Sequence, residues 1–313
     1  MPEAIPEARP EAGEPKPKAA PTVVGLALGS GSARGWSHIG VILELEAMGI
    51  RPQVVAGTSI GALVGAVYVV GELQEFADWV QKLTVRDVVG LIDITFTGGM
   101  VKGEKLFGFF HERHRNPNIE ELEQRFVSVA TEMKTGREVW ITRGPILPAA
   151  RASCAMPGLF SPYKFDERWM LDGGLVNPVP VSACRALGAE VVIAVNLNAQ
   201  LIGPHLSRAS VQEQEAEMAA EPENKSFWQK VVGFLSSGDM ENPGLFDVIG
   251  SSVNIMQDRL TRSRMAGDPP EITLIPLLQD FALMDFHRAA EAIEEGRRVV
   301  RSHEQSIRAW VGI

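Results

Sequence analysis

Apolar or alternating runs punctuate the first two thirds of the chain, and each reads as a strand. They are Thr22–Leu28, Gln53–Ala56, the alternating pair Phe126–Glu132 and Glu138–Thr142 around the Thr135-Gly136 turn, and Glu190–Leu197. Thr22–Leu28, Gln53–Ala56 and the V-V-I-A-V-N-L part of the last run carry no charge, which suits strands covered on both faces. Between the first two lies Trp36–Met48, with apolar residues at 36, 39, 42, 43 and 45 and Gly49 as its stop, the pattern of an amphipathic helix. The second strand leads directly into a run rich in Ala, Val and Gly that ends near Gly71. This strand–loop–helix–strand–turn–helix order predicts parallel strands joined by right-handed crossovers.

The pattern continues with helices over 73–89, 103–114 and 148–156, the last closed by Pro157-Gly158. A short strand Trp169–Leu171 runs into Asp172-Gly173-Gly174. Around 200–225 the chain turns acidic and polar, with Glu213, Glu215, Glu217, Glu221 and Glu223, and reads as a loop. A short amphipathic helix over 227–235, capped by Ser226, a longer helix over 246–265, a last strand over 272–275 and a helix over 286–310 complete the prediction. Residues 1–21 hold six prolines and four glutamates and read as an extended, disordered tail. The division expected is this tail, a core over 22–200, and a C-terminal part of the same domain over 201–313. No internal repeat is evident.

Gln53 to Gly71 is uncharged for 19 residues, long enough to raise the question of a membrane span. Its strand-then-helix character argues instead for a buried strand and a central helix. Composition agrees with a globular α/β protein, at 45% hydrophobic and 22% charged residues. A net charge of −9, with no dense basic patch, argues against a nucleic-acid partner. Cys154 and Cys184 follow no metal-ligand spacing and read as small buried residues in a reducing compartment. No metal or cofactor is expected. The tail lacks the basic start and apolar stretch of a secretory signal, so the expected location is cytoplasmic.

The candidate chemistry centres on Gly57-Thr58-Ser59-Ile60-Gly61. A serine with glycine two residues before and after it fits a strained strand-to-helix corner, which exposes the hydroxyl above the first amides of the helix. A structural helix-capping serine explains the same residues equally well at this level. Gly29-Ser30-Gly31-Ser32-Ala33-Arg34-Gly35, between the first strand and helix, offers backbone amides that can gather around an anion. A dinucleotide loop would need an acidic residue ending the next strand and a different glycine spacing, so an oxyanion hole is the better reading. For the base, six histidines compete with Asp172. His38 is expected beside the site or at the surface, and His111, His114 and His303 on solvated helices. His205 falls in the polar loop, and His287 follows Asp285 without further context. Asp172 ends an apolar strand and is followed by two glycines that permit close backbone approach, although D-G turns are also common structural features.

Four segments in this order resemble the patatin-like phospholipase family, in particular its short bacterial members related to the neuropathy-target-esterase branch. They are G-S-G-S-A-R-G-W-S-H-I-G-V from Gly29, G-T-S-I-G from Gly57, R-A-S-C-A-M-P-G from Arg151 and D-G-G-L-V-N-P-V-P from Asp172. The resemblance covers 22–200 and extends through 259–270 and 285–288. It implies a patatin-type α/β/α sandwich with a mostly parallel central sheet and a Ser–Asp dyad without histidine. Ser59 matches the nucleophile, Asp172 the base, and Ser30-Gly31-Ser32 the oxyanion loop. Gly57 and Gly61 frame the elbow, and Arg34, Gly173 and Gly174 support it. The serines at 30 and 32 depart from the glycines of many members. The function implied is a serine acyl hydrolase acting on lipid esters, of phospholipase A, lysophospholipase or carboxylester hydrolase type. A regulatory or binding module with a weak or unused esterase site is the alternative. Phe227, Trp228, Val231, Val232 and Leu235 form a stripe suited to peripheral contact with the inner membrane, a lid or a subunit contact; a homo-oligomer is compatible with the latter.

Overall fold

The computed structural model describes residues 22–91, 115–157, 160–199 and 245–313. Eight strands form one mixed sheet: β1 (Val24–Leu28), β2 (Val54–Thr58), β3 (Arg125–Glu132), β4 (Glu138–Ile141), β5 (Tyr163–Phe165), β6 (Arg168–Asp172), β7 (Val191–Val195) and β8 (Ile272–Leu274). The strands β3-β2-β1-β7-β8 pair in parallel in that order, while β4, β6 and β5 form an antiparallel extension beyond β3. The described helices are α1 (Ser37–Ala47), α2 (Ile60–Val70), α3 (Leu73–Val80), α4 (Val85–Leu91), α5 (Ile146–Ser153), α6 (Val181–Ala186), α7 (Leu245–Gly267), α8 (Ala289–Ser302) and α9 (Glu304–Val311).

Both faces of the parallel strands are covered, which is why β1, β2, β7 and β8 carry no charge. Leu26, Leu28, Val55, Phe126, Ile193 and Val195 point into one core shared with α1, α2 and α8. The alternate residues Ala27, Val54, Ala56, Val127, Val192 and Ala194 point into a second core against α6. The period of two along each strand thus divides the molecule into three layers, helices–sheet–helices. The side chains on the α6 face are small, and that helix lies close to the sheet: a methyl on Gly25 would meet Ala189 and Cys184.

Two registers on β3 bring distant parts of the chain together. Val54–Thr58 of β2 pair with Arg125–Val129, and Asp172–Met170 of β6 pair with Ala130–Glu132. Because β4 pairs with residues 128–131 of β3 and overlaps both sets, β2 and β6 must share the opposite edge. They meet there end to end, with the C-terminal residues of each strand facing one another.

The structure departs from the sequence reading at several elements. The helix expected over 148–156 runs from Ile146 to Ser153, placing Pro148 in its first turn, where proline is tolerated. Strand β5 has no counterpart among the expected elements: its hairpin to β6 turns through Asp166 and Glu167 at φ 48° and 59°, without the Asn or Gly that marks such turns. The single helix expected over 286–310 begins as a short 3-10 turn and breaks at His303. Ser302 Oγ and His303 Nδ1 both bond the Val299 carbonyl, and the His303 amide donates to Val300 instead. His38, expected beside the site or at the surface, is wholly buried with its ring at the Gly29 carbonyl, beside the glycine-rich loop. The stretch 53–71 resolves into β2 and an eleven-residue helix, about 16 Å long and too short for a bilayer. Among the described residues no helix is long and apolar enough to cross a membrane. The tail 1–21, the helix expected over 103–114, the acidic stretch, the 227–235 stripe, and His111, His114 and His205 lie outside the described residues.

Candidate active site

The end-to-end meeting of β2 and β6 brings Ser59 and Asp172 together. Ser59 follows the last residue of β2 and precedes the first of α2, with φ 56° and ψ −126°. A non-glycine residue held there stores strain on the order of 1–3 kcal/mol. The flanking glycines make the corner feasible. A methyl at Gly57 would strike Ala62 and the Gly61 carbonyl, and one at Gly61 would strike the Leu28 carbonyl. The Ser59 amide donates to Ser153 Oγ at 2.7 Å, and Ser153 Oγ in turn donates to the Val129 carbonyl. This ties the elbow to α5 and β3.

Ser59 Oγ donates to Asp172 Oδ2 at 2.6 Å. Asp172 Oδ1 accepts the Gly174 amide at 2.7 Å, so each carboxylate oxygen has one donor. Its backbone is held on both sides: the Asp172 amide donates to Ala155 O at 2.9 Å and Thr131 Oγ1 donates to Asp172 O at 2.8 Å. Thr58 Oγ1 donates to Asn177 O at 2.8 Å, fastening the loop after Asp172 to the end of β2. Asp172 is 1% exposed. Burial pushes its carboxyl up to about 6, and the hydrogen bonds from Ser59 and Gly174 only partly oppose that rise. The neighbouring Cys154 is a buried free thiol pushed well up, first by burial and then by the Asp172 charge.

The glycine-rich loop lies over the start of α2; a methyl at Gly35 would strike Ile60. The Ser30 amide is taken by the Pro178 carbonyl at 2.9 Å and the Ala33 amide by Leu283. The Gly31 amide has no partner among the described residues, and Ser32 opens a 3-10 turn, where the first amides are orphans. Ser32 itself has φ 52°, a second strained residue beside the elbow. Arg34 is buried and donates through Nε to Gly31 O at 3.1 Å, holding that peptide with its carbonyl turned inward. Burial lowers its guanidinium to about 10. His38 contacts the Gly29 carbonyl at 2.8 Å through Nε2 and is lowered to about 4, by burial against that bond. It therefore braces the loop as a neutral ring. Among the described residues the Ser59 hydroxyl is directed at the carboxylate and at no imidazole: His287 and His303 sit on the C-terminal elements, and His303 is bonded to its own helix.

The structure thus brings together Ser59, Asp172, Gly57, Gly61, Gly173, Gly174 and the 30–34 loop. Sequence reasoning assigns no role to Ser153, although it lies in the R-A-S-C-A-M-P-G segment. Its partners are a strand carbonyl and an elbow amide far away in sequence, and no local pattern announces them. Among the described residues, no group of three or more His, Cys, Asp or Glu could hold a metal ion.

Comparison with known proteins identifies the family. A family profile described as patatin-like phospholipase matches residues 26–185. An uncharacterized NTE family protein of Mycobacterium tuberculosis is 32% identical over 88% of this chain and 89% of its own length. Human patatin-like phospholipase domain-containing protein 6 is 30% identical over 56% of this chain but only 13% of that much longer protein. A lysophospholipase, NTE1, of Coccidioides immitis is 26% identical over 87% of this chain and 17% of its own. The crystal structure of VipD from Legionella pneumophila shares the fold at a TM-score of 0.50 and 13% identity, over 90% of this chain and 67% of that one.

Proposed function

The chain belongs to the patatin-like phospholipase family, in its NTE-like branch, and on that premise we propose that it is a serine acyl hydrolase of lipid esters working through a Ser59–Asp172 dyad. The observation that carries the reading is the buried 2.6 Å hydrogen bond from Ser59 Oγ to Asp172 Oδ2 at a strained elbow. A capping serine would instead turn its oxygen to the amides of its own helix, and no such bond is made here.

In the proposed reaction Ser59 Oγ attacks the ester carbonyl while its proton passes to Asp172 Oδ2. With its carboxyl near 6, Asp172 is mostly ionised at neutral pH, yet it is a stronger base than an exposed aspartate. The negative oxygen of the tetrahedral intermediate is met by the Gly31 and Ser32 amides, each worth about 3 kcal/mol of barrier if well aligned. Ser30 contributes through its position alone, since its amide is taken by Pro178 and its hydroxyl donates to Gln257. The alcohol or lysolipid leaves with the proton held by Asp172. The same carboxylate then takes a proton from water, which attacks the acyl-serine and releases the fatty acid. A histidine would do this as a cation-forming base; the aspartate starts charged and becomes neutral, so burial assists its proton uptake rather than opposing it.

The names of the relatives, a lysophospholipase among them, favour glycerophospholipid or lysophospholipid esters as the substrate class. The test compares the wild type with Ser59→Ala, Asp172→Asn and His287→Ala in one assay of fatty-acid release from lysophosphatidylcholine and phosphatidylcholine vesicles. Loss of turnover in the first two and its retention in the third is the expected result. Loss confined to Ser59→Ala and His287→Ala would replace the dyad with a histidine mechanism.

A further inference from the structure

The site is spanned from outside by one residue of α7, Gln257, which is 1% exposed. Its Oε1 accepts hydrogen bonds from Ser30 Oγ at 2.9 Å and from Asn198 Nδ2 at 2.8 Å. Two donors on one oxygen fix the plane of the amide. Asn198 is itself held near the loop, with Nδ2 3.3 Å from Ser30 Oγ. The other end of the Gln257 amide, Nε2, is buried without a partner among the described residues. It abuts Gly174: a methyl there would strike Nε2 and stand 2.9 Å from Asp172 Oδ1. The amide nitrogen and the carboxylate oxygen therefore flank the same point above the Gly174 backbone, whose amide grips Asp172.

One side chain thus touches the glycine-rich loop at Ser30 and the turn that aims Asp172 at Gly174. Packing alone does not account for it. A leucine of similar volume would fill the space without burying an unsatisfied amide. The arrangement also gives the Ser30 hydroxyl a use, as the point where the loop is fastened to α7. We propose that Gln257 is a positioning residue of this hydrolase, setting the distance between the loop and the Asp172 carboxylate through Ser30 on one side and Gly174 on the other. The inference rests on the Ser59–Asp172 reading above.

A double-mutant cycle tests it: wild type, Gln257→Leu, Ser30→Ala and the pair, with kcat and KM measured on p-nitrophenyl butyrate and folding checked by circular dichroism and thermal melting. Loosening the loop relative to the carboxylate misplaces groups needed only at the reacting centre. Each single change is expected to lower kcat about tenfold or more while KM stays within about twofold. The double variant should lose no more than the worse single change, because both cut the same tie. A folded Gln257→Leu protein with kcat within about twofold of wild type, or losses that multiply in the double variant, overturns the proposal. If Gln257→Leu fails to fold, Ser30→Ala decides by the same kcat criterion. Asp172→Asn in the same assay separates the two levels. If it retains turnover, the dyad reading falls and this inference with it. If it is inactive while Gln257→Leu behaves as wild type, this inference alone falls.

Discussion

Replacing Asp172 with Asn should make the protein more stable and inactive at once. The carboxyl is buried and raised from 3.8 to about 6. In the unfolded chain it ionises at its ordinary value, so above pH 6 the folded state carries a charge that the unfolded state carries more comfortably. The sign follows from linkage: a raised folded pKa gives stability that is fully present below about 4 and lost as pH rises through about 6. A shift of roughly two units corresponds to about 3 kcal/mol. Asn is neutral in both states and nearly isosteric. Its Oδ1 can still accept from Gly174, and its Nδ2 can donate to Ser59 Oγ, so the packing and both hydrogen bonds survive in altered polarity. Urea unfolding of wild type and Asp172→Asn from pH 4.5 to 8 measures the effect. The variant should be the more stable by up to about 3 kcal/mol at pH 8, with the gap narrowing as the pH falls toward 4. A variant less stable than wild type at pH 8, or a gap that does not change with pH, would refute the assignment of a destabilising buried charge.

The same ionisation should govern turnover: kcat/KM for a soluble ester is expected to rise tenfold per pH unit below about 6 and to level above it. An acid limb that stays near 4 would show that Asp172 is not the titrating base. Gly61→Ala should unfold the protein or abolish its expression in folded form, since the added methyl meets the Leu28 carbonyl of the central strand; a normally folded, active variant seen by circular dichroism and ester assay would contradict the elbow geometry. Ser153→Ala removes the bond to the Ser59 amide and should lower kcat with little change in KM, by about tenfold on steady-state kinetics. Cys154 should resist iodoacetamide in the native state at pH 8, because burial and the Asp172 charge both hold its proton on; rapid native-state alkylation read by mass spectrometry would show that the thiol is open to solvent.

Much of the central architecture is legible in the chain because it rests on local signals. Uncharged runs such as Val24–Leu28 and Val191–Val195 announce strands covered on both sides, and the paired glycines around Ser59 announce the corner. The partners of that corner are less legible. Ser59 and Asp172 are 113 positions apart, and their meeting follows from two strands sharing one edge of β3, a register that no local pattern specifies. Here the resemblance to a known family points to the pair that geometry places at 2.6 Å. The β5–β6 hairpin carries no turn signal because Asp166-Glu167 adopts positive φ without glycine. His38 is compatible with a surface position in the sequence because α1 carries polar residues at intervals. Its ring is instead buried against the Gly29 carbonyl, a contact that the periodicity of α1 does not announce. Gln257 and Ser153 act through side-chain bonds to distant backbone or loop atoms, and such pairings leave no periodic trace in the sequence.

The most direct trial of the account is the rate at which a fluorophosphonate becomes bonded to Ser59, followed by mass spectrometry in wild type and in Asp172→Asn at pH 7.5. The account predicts one adduct per chain, on Ser59, formed at least about a hundredfold faster in the wild type. Equal rates in the two proteins, or an adduct on any other residue, would contradict it.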